Sequence, residues 1–355
     1  MEPLKEIRRS FDQGNEKPSE YICIYIRNEL KWILPREKKV AFYIINNWRP
    51  YSLSGVFFWK FLKFLFFLGI PNILSNIKII KLHHELVDWK KYGWESSEYP
   101  FLGFYIGTKS IDQKISIFLI EKKFLNVKLV IKHPIGENSW NLIRNEYKNL
   151  NMLKSNFVKS VPKPIIKSSL NHFTVQNFLK GTPSKINLNK GHYKFLGELV
   201  YKKEKMKLKS LKSYLMHYLR ENKINFTDSK FNIKFEYLIK KLDSNNYFPL
   251  SIVHCDFVPW NIKLDEDSNL CVYDWEYSSK FGIPFYDIFY YKYQVYSKLK
   301  YRININLDLC INNINTEDSN YYNQSLNLVF QVAKLMAFIN IKKKKLRLPD
   351  IEIFI

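Results

Sequence analysis

The sequence predicts an α+β chain in which a small antiparallel β-sheet is followed by a mainly helical segment, both behind an N-terminal extension. Three observations carry this. Residues 102–132 contain strand-like runs separated by turn residues, among them Lys114–Ile120 and the alternating Val127–Lys132. Two more strand-like runs, Asn261–Leu264 and Leu270–Tyr273, enclose the polar connection Asp265–Asn269 and read as a hairpin. Helical runs surround that hairpin: 202–219 and 231–242 before it, 285–299 and 320–341 after it. With 355 residues, 46% of them hydrophobic and 17% aromatic, there is material for a packed core and for two lobes. The expected division is residues 1–95 for the extension, 96–180 for the small lobe and 181–355 for the large one.

In the extension, Glu20 to Leu34 reads as an apolar strand or helix ending at Pro35. Lys39 to Trp48 is a second short element, and Arg49 to Gly55 is a turn-rich break. Val56–Leu68 follows, almost wholly aromatic and aliphatic, between Gly55 and Gly69. Lys60 and Lys63 lie three apart on one helical face. The segment is too short and too charged to span a bilayer. It is expected either to lie in the interface of an anionic membrane, with its lysines at the headgroups and Trp59 at the boundary, or to be buried against the small lobe.

Alternation in Val127–Lys132 puts Lys132 on the face opposite Leu129 and Ile131. In the helical run from Trp140 to Leu153, Glu146 sits inside the apolar stripe of Leu142, Ile143, Tyr147, Leu150 and Leu153. A carboxylate so placed calls for a cation, and Lys132 comes just ahead of it.

The densest chemistry lies in His254–Ile262 and Val272–Glu276. If the hairpin turns near Asp267, Asn261 and Asp274 face each other at its open end. An amide oxygen and a carboxylate suit Mg²⁺, which takes hard oxygen ligands and shares them with water and phosphates. Asp256 lies just upstream, where Pro259 fixes a backbone angle, and is placed to meet a substrate hydroxyl.

His254-x-Asp256-x4-Asn261, with Asp274 following, resembles the catalytic and metal-binding loops of kinase-fold enzymes. Asp256-Phe-Val-Pro-Trp-Asn261, Asp274-Trp-Glu in place of Asp-Phe-Gly, and Gly282-Ile-Pro-Phe-Tyr-Asp287 bring it nearest to the aminoglycoside phosphotransferase and choline kinase family. The resemblance implies a two-lobed protein-kinase-like fold and phosphorylation of a small-molecule hydroxyl with ATP and Mg²⁺. It makes Asp256 the catalytic aspartate, braced by His254, and makes Asn261 and Asp274 the metal ligands. Lys132 and Glu146 become the phosphate-orienting ion pair. Gly107 and Thr108 stand where backbone N–H groups approach phosphates, although no complete G-x-G-x-x-G is present. Thr174–Gly181, with Gln176 and Phe178, resembles the linker whose backbone bonds adenine, and Asp287 the structural aspartate under the catalytic loop. Two other readings follow from departures from the pattern. The degenerate glycine loop allows an inert kinase-like ATP-binding module. A protein kinase is disfavoured by Asp274-Trp-Glu and by the missing Ala-Pro-Glu segment.

Lys and Arg number 56 against 33 Asp and Glu, a net charge of +23. Such a surface favours an anionic or lipid-linked acceptor and would repel a polycationic aminoglycoside. The basic residues are scattered apart from Lys342–Lys345, a solvated helix end, and no nucleic-acid module accompanies them, which argues against a nucleic-acid partner. No secretion signal or spanning segment is apparent, so the expected location is the cytoplasm, with peripheral contact at the inner face of the membrane through 56–68. The four cysteines form no Cys-x-x-Cys pair and read as small buried hydrophobes.

Overall fold

A computed structural model describes residues 3–14, 18–48, 50–51, 53–69, 77–84, 86–155, 158, 160–221, 229–314 and 319–343. The elements run α1 (Pro3–Phe11), β1 (Ser19–Ile26), β2 (Glu29–Pro35), α2 (Lys38–Asn46), α3 (Leu53–Leu68), β3 (Ile77–Leu82), β4 (Phe101–Ile106), β5 (Lys114–Glu121) and β6 (Asn126–Pro134). Next come α4 (Ser139–Ser155), β7 (Pro164–Ser168), β8 (Phe173–Asn177), β9 (Thr182–Pro183), α5 (Lys190–Glu198), β10 (Val200–Lys207), α6 (Leu208–Glu221) and α7 (Ser229–Lys241). The chain continues with β11 (Tyr247–Val253), β12 (Ile262–Leu264), β13 (Leu270–Val272), β14 (Ser279–Gly282), α8 (Tyr286–Leu299), α9 (Leu307–Asn312) and α10 (Ser319–Lys343). It divides into two compact units: Met1–Ser184 with Lys263–Asp267 and Cys271–Tyr277, and the remainder.

The first unit is built on an eight-stranded sheet of order β3-β1-β2-β4-β5-β6-β8-β7. Side chains alternate between its two faces along most of each strand, with register shifts at Ile24/Tyr25 and Leu119/Ile120. Tyr21, Cys23, Leu102, Phe104, Ile115, Ile117 and Ile131 join one core with Ile7 and Phe11 of α1. Ile22, Ile24, Trp32, Ile120 and Val130 join another with Val40, Ile44, Trp59 and Leu62 of α2 and α3. Period-two alternation of apolar residues on both faces is what allows one sheet to carry two cores. Gly103 serves packing here, because a Cβ on it would come within 2.6 Å of Ile44 Cδ1.

The N-terminal residues thus extend the sheet. Glu20 to Leu34 is a hairpin whose two αL residues, Arg27 and Asn28, make the turn between β1 and β2. The segment 56–68 is helical as expected, but Trp59 is not at a boundary. It is 4% exposed, and its indole N–H donates to the Ile45 and Trp48 carbonyls at 3.1 and 2.9 Å. The helix is apolar on both sides: Leu62, Leu65 and Phe66 point inward, while Phe57, Phe61, Phe64 and Phe67 are exposed. No described helix is long and apolar enough to cross a membrane.

The second unit holds the sheet β10-β11-β14 and helices α5 to α10, around a core that includes Leu211, Leu215, Phe248, Ile288, Phe289, Val332 and Ala333. Lys202 to Leu219 was expected to be one helix. Instead 200–207 is strand and the helix starts at Leu208, because Lys205, Met206 and Lys207 pair with Pro249, Phe248 and Tyr247 of β11. A lysine-rich stretch suits a helix, and a distant strand edge overrides that local preference. Lys344 and Lys345 of the terminal basic run lie outside the described residues.

Candidate active site

The candidate side chains form two clusters, one in each unit. In the first, β6 presents Lys132 and α4 presents Glu146, both fully inside, with Lys132 Nζ 2.7 Å from the Glu146 carboxylate. The same ammonium lies 2.7 Å from Asp274 Oδ1. Asp274 has φ +73°, a left-handed turn that begins the 3₁₀ turn Trp275–Tyr277. Helix α4 fixes that turn from two further positions, since Asn145 donates to the Glu276 carbonyl at 2.6 Å and Asn149 to the Trp275 carbonyl at 2.9 Å. One helix therefore sets the lysine's partner and the backbone that aims Asp274.

A second lysine joins them. Lys114, at the start of β5, lies 2.8 Å from Asp274 Oδ1 and also pairs with the Glu276 carboxylate. Burial opposes ionisation of Asp274, yet Lys114 and Lys132 hold its carboxyl well below the usual carboxylate range. Burial, reinforced by Asp274, pushes Glu276 up to about 7 against the pull of both lysines. Carboxylate oxygens of Glu146, Asp274 and Glu276 lie within 4.8 Å of one another, a hard-oxygen set of the kind that suits Mg²⁺.

Gly107 and Thr108 sit at the β4–β5 turn, where Gly107 N–H donates to the Lys114 carbonyl at 2.9 Å and Gln113 Nε2 to the Gly107 carbonyl at 3.0 Å. Gln176 is buried in β8, and Phe178 follows that strand with its ring 4.0 Å from Lys263 Nζ. Gly181 closes the segment at φ +152°, and a Cβ on it would come within 2.4 Å of the Leu264 carbonyl oxygen.

In the second unit, β11 delivers the loop His254–Asn261. Asp287, in the first turn of α8, accepts from the His254 and Cys255 backbone N–H groups at 2.7 and 2.9 Å. These bonds hold Cys255 at φ +62° and so bend the chain toward Asp256. Burial raises the Asp287 carboxyl to about 7, against those two donors. His254 is fully buried, and its Nδ1 accepts from Asp256 N–H at 3.2 Å, which braces the loop from inside. Asn261, in the 3₁₀ turn Pro259–Asn261 just before β12, donates to Asp256 Oδ2 at 2.9 Å. Its amide nitrogen is spent there, so the carbonyl oxygen is what it offers a cation. Tyr290 donates to Asp256 Oδ1 at 3.0 Å and accepts from Gln294 at 2.9 Å. Burial and Asp256 push the Tyr290 phenol up, so it stays a donor.

The structure brings Lys132, Glu146 and Asp274 together in one unit and His254, Asp256 and Asn261 in the other. Residues 207–298 match the phosphotransferase enzyme family. That segment holds the whole loop, Asp274 and all of α8 but its last residue. Among curated proteins, no sequence matches this chain. Similar solved structures include a macrolide 2'-phosphotransferase from Brachybacterium faecium, at 12% identity and TM-score 0.47, covering 68% of this chain and 88% of that one. A GDP complex of aminoglycoside 2'-phosphotransferase-IIIa reaches 12% identity and TM-score 0.44, over 72% of this chain and 90% of that one. An ethanolamine kinase from Plasmodium vivax reaches 18% and 0.41, over 67% and 73%.

Four polar positions escaped the sequence reading. Tyr290 and Gln294 stand three and seven residues after Asp287, one face of α8, and that spacing is a readable signal. Asn149, three after Glu146, continues the polar line on α4. Lys114 carries no local mark, since it is one lysine among many and only the β5–β6 register brings it to Asp274.

Proposed function

We propose that this chain is an ATP-dependent phosphotransferase acting on a hydroxyl of a small molecule, a sugar, an amino alcohol or a cell-envelope glycan or lipid precursor. The observation that carries this is the buried Lys132 shared between Glu146 and Asp274 at 2.7 Å each. An ion pair so expensive to bury is accounted for when its lysine meets phosphate and its aspartate meets a metal. The matched family segment supports the same reading.

In the reaction, Asp256 orients the acceptor hydroxyl and takes its proton as the oxygen bonds to the γ-phosphorus and the bond to the ADP oxygen breaks. Asn261 and Tyr290 hold the two Asp256 oxygens, which limits its rotamers and points it at one acceptor position. Lys132, kept in place by Glu146, orients the phosphates. Asp274 and the Asn261 carbonyl oxygen would hold Mg²⁺, which supplies charge neutralisation when bound. Thr108 would offer a backbone donor beside the phosphates, whereas the Gly107 N–H is already given to the Lys114 carbonyl and Gly107 only shapes the turn there, and the linker with Gln176 and Phe178 receives adenine. Residues 96–180 then act as the nucleotide lobe and 181–355 as the catalytic and substrate lobe.

The outward face of α3 supports a peripheral contact with anionic phospholipid. Phe57 and Phe67 are 77% and 62% exposed, Phe61 and Phe64 lie between them, and Lys60 is exposed on the same side. Lys38 of α2 stands 5.1 Å over the Phe67 ring, and the chain carries +23. Aromatic rings flanked by ammoniums complement an acidic headgroup layer.

The test is transfer of labelled γ-phosphate from Mg-ATP into a cell extract split into protein, water-soluble and lipid fractions. Label that depends on Asp256, judged against Asp256→Asn, establishes the activity, and its fraction names the acceptor class. Label in the protein fraction alone would point to a protein kinase. Nucleotide binding without any transfer would favour the inert module.

A further inference from the structure

The first unit contains two lysine–glutamate pairs around Asp274, and the function above employs only one. Lys132 belongs to Glu146 and Lys114 to Glu276, while both ammoniums meet the same Asp274 oxygen at 2.7 and 2.8 Å. Their strands explain the coincidence. In the β5–β6 register Ser116 faces Lys132 and Lys114 faces Pro134, so Lys114 and Lys132 are diagonal neighbours on one face of the sheet. We propose that Lys114, held by Glu276, is a second phosphate-binding lysine that does the work of the missing glycine-loop donors. This rests on the phosphotransferase reading.

Four features support the assignment. Lys114 is where the chain returns from the Gly107 turn, and its own carbonyl accepts the Gly107 N–H, so side chain and turn move as one piece. That turn is pinned from the other side. The Gln113 carbonyl accepts from Ile135 and Gly136 N–H at 2.9 Å each, and Asn138 Nδ2 donates to Asp112 at 2.7 Å. Lys114 Nζ lies 2.8 Å from Asp274 Oδ1 and also pairs with the Glu276 carboxylate, so two carboxylates face its one charge. It remains an ammonium with three donors. Finally, a cation taken by Asp274 competes for the oxygen that both lysines share. Each lysine would then keep its glutamate and have donors left over, directed at the space beside Asp274. An anion that arrives with the cation, a polyphosphate, is what satisfies them.

Lys114 as a mere counter-ion to Asp274 and Glu276 makes a different prediction for ligand binding. Calorimetric titration of the full chain with Mg-ADP, a non-hydrolysable Mg-ATP analogue and adenosine separates the two. Lys114→Met is expected to lose about 10–100-fold in affinity for the two polyphosphates and to leave adenosine unchanged. Lys114→Arg is expected to recover most of the loss. Should Lys114→Met fail to fold, Lys114→Gln removes the charge, keeps a polar group beside Glu276 and carries the same readings. Lys132→Met is the reference. Polyphosphate binding impaired in Lys132→Met but intact without Lys114 would overturn the second lysine and leave the phosphotransferase reading standing. Binding intact in both would overturn both.

Discussion

Tyr290→Phe isolates how Asp256, the proposed catalytic aspartate, is aimed. The ring is 1% exposed, and phenylalanine fills the same space, so packing is preserved. What disappears is the hydroxyl that donates to Asp256 Oδ1 at 3.0 Å and accepts from Gln294 at 2.9 Å. A hydrogen bond to a charged group contributes about 1.5–3 kcal/mol. If that energy restrains Asp256 in its reactive rotamer, losing it lowers turnover by about 10–100-fold, since each 1.36 kcal/mol is tenfold. Nucleotide affinity should stay at the wild-type value, because Tyr290 reaches no residue assigned to ATP. The assay is single-turnover transfer of labelled phosphate from Mg-ATP at saturating acceptor extract, beside a separate titration of Mg-ADP. Gln294→Leu, which leaves the phenol in place, should lose less. Wild-type turnover in Tyr290→Phe, or a drop in nucleotide affinity that accounts for the loss, would refute the reasoning.

Asp256→Asn should reduce turnover by orders of magnitude with nucleotide affinity nearly intact, and a matching loss of Mg-ADP binding would contradict its role as the group that meets the hydroxyl. Phe61→Glu should abolish co-sedimentation with anionic vesicles and leave phosphoryl transfer to soluble acceptors unchanged; vesicle binding that survives it removes α3 from the contact. Gly181→Ala, placed at φ +152° with its new Cβ 2.4 Å from the Leu264 oxygen, should lower stability by about 2–4 kcal/mol in urea denaturation, and an unchanged midpoint would refute that close approach. Burial lowers His192 to about 4 from 6.5, so the unfolded chain binds the extra proton across that window. Stability is therefore full above pH 6.5 and falls by about 3 kcal/mol as pH drops toward 4. His192→Gln should flatten that slope, and an unchanged slope would assign it to other groups.

Local pattern was sufficient where each residue's role depends on near neighbours. The His254–Asn261 loop, the hairpin after it and α8 are contiguous, so Asp256, Asn261, Asp274 and Asp287 stood at spacings that chemistry could interpret. Lys132 and Glu146 were legible for a similar reason: alternation fixed the lysine's face, and a carboxylate inside an apolar stripe demands a cation. The extension was harder. Its composition permitted strand or helix for 20–34, and only pairing with β3 and β4 decided for strands.

The sequence by itself determined the α+β class, the helical face of α4 and the order of the functional groups along the chain, because periodicity and loop chemistry are local properties. The tertiary structure alone decided that β10 is strand, that Trp59 is core and that Lys114 shares Asp274 with Lys132. Each of those depends on which distant backbone or side chain lies alongside, and hydrogen-bond register between strands brings together residues that no spacing in the sequence connects.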